Sequence, residues 1–257
     1  MTELSDYTIN EHLAVLSARE LRNGQIVFAG IGIPLLAAGL AQRTHCPNLT
    51  ILFEGGTVGA LLKPGELPPS TNDQRGAKGS NMVVGSSEVL LFLQRGYVDV
   101  GFMGGAQIDR FGNLNSSIIN ARGNTPAVRL PGSGGGNDIA SLTNLIVATK
   151  HEKRRFVEKV DFVTSPGWLR GGSTRADAGL SRGGTFRVVT NLAVLGFDDQ
   201  SKQMTVLALN PGVSAAEVQD NTGFELSFAK DLPVTEPPNE NELRILRELD
   251  PARVLTS

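Results

Sequence analysis

Glu54 is the side chain best placed, by type and by context, to do chemistry. It follows directly on the apolar run Leu49–Phe53 and is itself followed by Gly55 and Gly56. In sheets of parallel strands, ligands bind beyond the carboxyl ends of the strands. A carboxylate there can serve as a nucleophile or a general base, and two glycines let a ligand come close to the backbone. The competing assignment is a carboxylate that only caps the next helix or faces solvent.

The second candidate is Leu130–Asp138, Leu-Pro-Gly-Ser-Gly-Gly-Gly-Asn-Asp. Its peptide N–H groups at Gly134, Gly135 and Gly136, with Asn137 beside them, could converge on an anion or a developing oxyanion. The stretch lacks the Lys-Ser/Thr of a P-loop and is no G-x-G-x-x-G fingerprint, so it supports nucleotide binding only weakly. A generic tight loop is the alternative. The third candidate, Gly104–Asn115, lies just past another apolar run and offers Gly104, Gly105 and Gln107 as pocket residues. Its Asp109, Asn113 and Asn115 could hold a polar ligand, or satisfy nearby backbone groups in Asx turns. The basic cluster His151–Arg155 reads as a solvated face at a helix start, with phosphate binding as the weaker option. His45 and Cys46, just before Pro47, read as packing residues rather than a thiol site.

The elements that must position these residues follow from periodicity. Thr8-Ile-Asn-Glu11 has capping-box spacing and predicts a helix carrying Ile9, Leu13, Leu16 and Leu21 toward Asn23-Gly24. Short strands are predicted at Gln25–Ala29, Leu49–Phe53, Val98–Met103, Asn144–Thr149 and Val160–Thr164. Helices are predicted at Leu35–Thr44, Ser87–Arg95 and Leu243–Leu249, the last after a capping spacing at Asn239–Glu242. Another such spacing falls at Ser214–Glu217. This alternation implies an α/β fold with a mostly parallel sheet and helices on both faces. Phe186–Thr190, Ala193–Phe197 and Met204–Leu209 predict a small antiparallel subsheet toward the C-terminus. Pro64–Asp73 reads as a long surface loop in which mobility is plausible.

Composition bounds the function. The 257 residues suffice for one large domain, taken here as a single unit over 1–257. With 24 basic against 26 acidic side chains the net charge is −2, so no nucleic-acid or anionic-membrane footprint is expected. No apolar stretch has bilayer length, and no charged and apolar leader opens the chain, so a cytoplasmic protein is expected. One cysteine and three scattered histidines argue against a disulfide framework or a metal cluster.

In this order the motifs resemble those of the family I CoA-transferases, B (β) subunit. Phe53-Glu-Gly-Gly-Thr-Val-Gly59 stands where that family carries its catalytic segment. Gly104–Asn115 resembles the G-A-x-Q-V-D-x-x-G-N stretch and Pro131–Ala140 the glycine loop. His151–Trp168 looks like the glutaconate CoA-transferase β chain, and Asn221-Thr-Gly-Phe224 is a further family-like motif. The resemblance runs from about Tyr7 to the final helix. One departure is Gly55-Gly56, where family members have Asn-Gly or Ser-Gly.

The resemblance implies the fold group that CoA-transferases share with sugar-phosphate isomerases. It also implies transfer of CoA between an acyl-CoA and a carboxylic acid, dicarboxylic by analogy with glutaconate, through a glutamyl-CoA thioester on Glu54. Gly134–Gly136 would form the oxyanion and CoA loop, with Gly55, Gly56, Gly104, Gly105, Gln107 and Asn137 in the pocket. CoA enters as substrate; no permanent cofactor and no metal are implied. Because the intermediates are hydrolysable, a closed site with few polar side chains near Glu54 is expected. An A (α) subunit must complete the site, in an αβ heterodimer that assembles into a heterotetramer or larger. The rival readings are a CoA-ester hydrolase, ring-opening enzyme or decarboxylase on the same scaffold, a sugar-phosphate isomerase, and a non-catalytic ligand sensor.

Overall fold

The computed structural model describes residues 7–120 and 126–257. The chain folds as two compact units, Met1–Phe102 with Pro237–Ser257, and Met103–Glu236.

The first unit begins with α1 (Ile9–Arg19), where the expected capping box forms. Thr8 Oγ1 accepts from the Glu11 N–H at 3.1 Å, and the Glu11 carboxylate accepts from the Thr8 N–H at 2.9 Å. Such a cap is worth about 1 kcal/mol. The helix stops at Arg19, short of Asn23-Gly24. Next come β1 (Ile26–Phe28), α2 (Ile33–Arg43), β2 (Thr50–Leu52), β3 (Thr57–Val58), β4 (Met82–Val83), α3 (Ser86–Gln94) and β5 (Val100–Met103). Strand β1 pairs in parallel with β2 and β5, and β3 then joins β2 antiparallel, with β4 antiparallel to β3 at the edge.

Helix α2 is made of small and apolar residues, and Leu35, Leu36, Ala37, Ala38, Leu40 and Ala41 are all buried. It is therefore covered on most sides. At Gly39 a Cβ would stand 2.9 Å from the Leu62 Cδ1 and 3.1 Å from that of Leu249, so glycine lets the C-terminal helix, Glu240–Leu249, come close. That helix is also tied to α1 through Arg247 Nε, which donates to the buried Glu11 carboxylate at 2.8 Å. Burial pushes the Glu11 carboxyl up, but Arg247 and the Thr8 N–H outweigh it and hold the group below its ordinary value.

The second unit carries two two-stranded antiparallel ribbons, β6 (Gln107–Ile108) with β7 (Leu114–Asn115) and β8 (Ile118–Ile119) with β9 (Val128–Arg129). Helix α4 (Gly136–Leu142) leads into β10 (Asn144–Thr149), and α5 (Thr174–Asp177) into β11 (Gly184–Thr190). There follow β12 (Ala193–Phe197), β13 (Met204–Leu209), α6 (Ala215–Asp220) and β14 (Ser227–Phe228). Strands β10 and β11 are parallel, β11–β12–β13 antiparallel as expected, and β14 is parallel to β13. The α/β class with a mostly parallel, mixed sheet is the one the alternation predicted.

Two predicted elements are absent. Val160–Thr164 is no strand; Val160 is followed by bends, and the nearest pairing is an isolated antiparallel bridge between Leu114 and Ser165. His151–Arg155 opens no helix either. The Arg155 and Phe156 N–H groups both donate to the Glu152 carbonyl, closing a single turn. His151 is anchored inward instead, stacked on Phe156 at 3.9 Å and bonded to Thr190 and Thr222. Such anchoring leaves no continuous turn pattern for a helix to extend. Asn210 and the buried Arg175 also organise this unit. The Arg175 guanidinium donates to the carbonyls of Pro166, Gly167, Ala140, Ser141 and Arg182, while Asn210 Nδ2 donates to the Thr190 carbonyl.

Candidate active site

No helix follows Glu54. It sits in a hairpin turn between β2 and β3, so the helix-cap assignment falls. The turn is closed by the Phe53 N–H donating to the Thr57 carbonyl at 2.9 Å and the Gly56 N–H to the Phe53 carbonyl at 3.0 Å. Phe53 is fully buried, and Glu54, half-buried, is the first residue of the turn.

Both glycines after it are sterically required. Gly56 has φ +107°, and a Cβ there would lie 1.9 Å from the Val84 carbonyl oxygen. At Gly55 a Cβ would lie 2.4 Å from both the Thr71 carbonyl oxygen and Asn72 Oδ1. The segment read as a mobile surface loop thus ends packed on the turn. Just beyond it, the 3₁₀ turn Gln74–Ala77 places Gly76 against the Phe53 ring, where a Cβ would stand 3.0 Å from Cε2. The Asn72 carboxamide is thus a polar group beside Gly55, the residue that follows Glu54.

In the second unit, the glycine loop hangs on the Ser116–Ser117 backbone. Leu130 and Gly132 N–H groups donate to the Ser117 and Ser116 carbonyls, each at 2.8 Å. Gly134 takes φ +54°, and Gly135, at φ −70°, caps α4. The Gly136 N–H is spent within the loop on the Ser133 carbonyl at 2.9 Å. A Cβ on Gly136 would lie 2.2 Å from Met103 Cε. Met103 is the last residue of β5, so the Gly104-Gly105 turn and the glycine loop come together. Gly104 is open, while the Gly105 carbonyl accepts from the Arg155 guanidinium.

The other predicted residues serve local structure. Gln107 is buried with its amide engaged: Oε1 accepts from Asn115 Nδ2 at 2.7 Å and the Asp161 N–H at 3.0 Å, and Nε2 donates to Asp161 Oδ2 at 3.1 Å. Asn137 is exposed and donates to the Thr164 carbonyl at 3.2 Å. Asp109 Oδ1 accepts from the Phe111 and Asn113 N–H groups, and Asn113 Oδ1 from those of Gly167 and Leu169. Burial raises the Asp109 carboxyl above its ordinary value, against the pull of Asn113. Cys46 is buried, which raises its thiol, and Sγ points to the Leu21 carbonyl at 3.5 Å. That is a packed cysteine, not a reactive one.

A cavity of about 810 Å³ also opens in the second unit, with Phe111, Val160, Val163 and Leu169 among its walls. Among the described residues no cluster of His, Cys, Asp and Glu could hold a metal ion, and no helix is long and apolar enough to cross a membrane.

Fold and site together define an α/β chain that presents a carboxylate, followed by two glycines, in the turn after a strand. Residues 10–221 match the coenzyme A transferase family model, and the chain belongs to that family. It is 41% identical to the B subunit of the 3-oxoadipate CoA-transferase of Pseudomonas knackmussii, over 96% of this chain and 95% of that one. It is 38% identical to the B subunit of the glutaconate CoA-transferase of Acidaminococcus fermentans, over 98% and 96%. The crystal structure of glutaconate CoA-transferase from the same organism superposes with a TM-score of 0.91 at 35% identity, covering 99% of both chains. Similarity extends to the IpdB subunit of the cholesterol ring-cleaving hydrolase of Rhodococcus jostii, 38% identical over 88% of each chain. The chain is thus a B-type subunit of a CoA-transferase family enzyme.

Proposed function

We propose that this chain, with an A-type partner subunit, moves CoA between an acyl-CoA and a carboxylic acid by ping-pong catalysis on Glu54. The observation that carries the reading is the Glu54 turn itself: a carboxylate at the end of β2 whose next two positions exclude any side chain. A Glu54 carboxylate oxygen attacks the thioester carbonyl of the donor. The C–S bond breaks, CoA thiolate leaves, and a mixed acyl-glutamyl anhydride remains. The thiolate then attacks the glutamyl carbonyl, the donor acid departs as its carboxylate, and Glu54 holds CoA as a thioester. An incoming carboxylate reverses both steps and leaves as its CoA ester.

Each step passes through an oxyanion. The proposed donors are peptide N–H groups of the Gly134–Gly136 loop, in which the Gly136 N–H donates to the Ser133 carbonyl. Gly55 and Gly56 in the first unit, and Gly104, Gly105, Gln107 and Asn137 in the second, are the proposed substrate-pocket residues. The names of the two transferase relatives support dicarboxylic acids as the substrate class. The glutamate favours transfer over a non-covalent ligand-sensing role, which would not need it. Assembly beyond an αβ pair and a cytoplasmic site of action belong to the same reading.

Steady-state kinetics of the co-expressed complex test it. Parallel double-reciprocal lines are expected, and Glu54→Gln lowers transfer by at least about 10³-fold, as loss of a covalent nucleophile does. Undiminished transfer by that variant overturns the reading.

A further inference from the structure

The turn that carries Glu54 has no polar side chain of its own at positions 55 and 56, yet one stands beside it. Asn72 Oδ1 lies 2.4 Å from where a Cβ of residue 55 would be, and Asn72 Cα lies 2.7 Å from that point. The carboxamide therefore fills the space that a side chain at 55 would take. This is the position where the sequence departs from the Asn-Gly or Ser-Gly pattern.

The loop that brings Asn72 there is fixed at several points. Its own N–H donates to Ser70 Oγ at 3.2 Å, and the Asp73 N–H to the Ser70 carbonyl at 3.1 Å. Asp73 then caps the 3₁₀ turn by accepting from the Arg75 N–H at 2.9 Å, and Gly76 packs on the Phe53 ring. By contrast, the Asn72 side chain makes no hydrogen bond to any of the described residues, and it is exposed. The loop backbone places the carboxamide beside the turn, and its hydrogen-bonding groups are left available to a ligand.

We propose that Asn72 is a substrate-binding residue of this enzyme: its carboxamide contacts the acyl group being transferred at Glu54, from the space a side chain at position 55 would occupy. The proposal rests on the Glu54 mechanism above. It puts a polar side chain from a separate loop, 17 positions downstream, into the space beside Gly55. Because Asn72 touches the acyl end, its loss should slow acyl transfer and leave the affinity for free CoA unmoved.

The test uses the complex with its A-type partner, a panel of mono- and dicarboxylic acyl-CoAs, and the variants Asn72→Ala, Asn72→Leu and Asn72→Ser. Leucine keeps the shape of asparagine without its hydrogen bonds; serine keeps a donor in less volume. Asn72→Ala and Asn72→Leu are expected to lose about tenfold or more in kcat/KM, the worth of one hydrogen bond to a reacting group. Asn72→Ser retains more, and the inhibition constant of free CoA and the Tm stay at wild-type values. Wild-type kinetics in Asn72→Leu would reduce Asn72 to a packing residue and overturn the proposal. A wild-type complex that transfers no CoA to any acceptor on the panel would instead overturn the Glu54 mechanism, and this proposal with it.

Discussion

Gly56 and Val84 meet backbone to backbone. The Val84 N–H donates to the Gly56 carbonyl at 2.9 Å, and the Val84 carbonyl oxygen lies 1.9 Å from where a Cβ of Gly56 would stand. Val84, just past the edge strand β4, thus holds the Glu54 turn through a contact that only glycine allows, with φ at +107° at Gly56.

Gly56→Ala should therefore be among the most damaging single-carbon changes in the chain. Neither partner is a flexible side chain that could swing away. The turn must open, moving the adjacent carboxylate by about an ångström, a displacement that costs on the order of 10²-fold in rate. Transfer assays on the complex, with circular dichroism to confirm folding, check this.

Two buried histidines set the acid limit of stability. Burial lowers His151 to about 4; burial and then the neighbouring Arg19 charge lower His12 to about 4. Both are neutral in the fold and titrate near 6.5 when unfolded. Between those values the unfolded chain binds more protons, so stability is whole above about pH 7 and falls as pH drops from about 6.5 to 4. The slope per histidine approaches about 1.4 kcal/mol per pH unit. Urea unfolding at a series of pH values measures it, and His151→Gln should flatten the profile by one histidine's share.

The strands and caps that depend on local pattern were legible in the sequence. The Thr8–Glu11 and Asn239–Glu242 boxes form, and Asn144–Thr149, Ala193–Phe197 and Met204–Leu209 have the bounds that apolar runs gave them. Val160–Thr164 failed because its apolar residues answer to contacts in the irregular stretch around Ser165 and not to a strand partner. In the site, Glu54 and its glycines could be read as a motif. What the glycines are for could not, since Val84 and Thr71–Asn72 reach them only through pairing and loop packing. The doubled glycine was the one available signal. For Asp109, Asn113 and Gln107 the ligand and backbone-satisfying assignments look alike in sequence, and only hydrogen-bond partners separate them.

The central claim is that Glu54 becomes covalently attached to CoA. Intact-protein mass spectrometry of the co-expressed complex, mixed with a panel of acyl-CoAs and quenched in acid, tests it directly. A mass gain on this chain equal to CoA minus water, mapping by peptide to Glu54 and absent in Glu54→Gln, is the predicted result. Thioester consumption with no mass gain on this chain at any quench time would contradict it and point to hydrolysis or decarboxylation on the same scaffold.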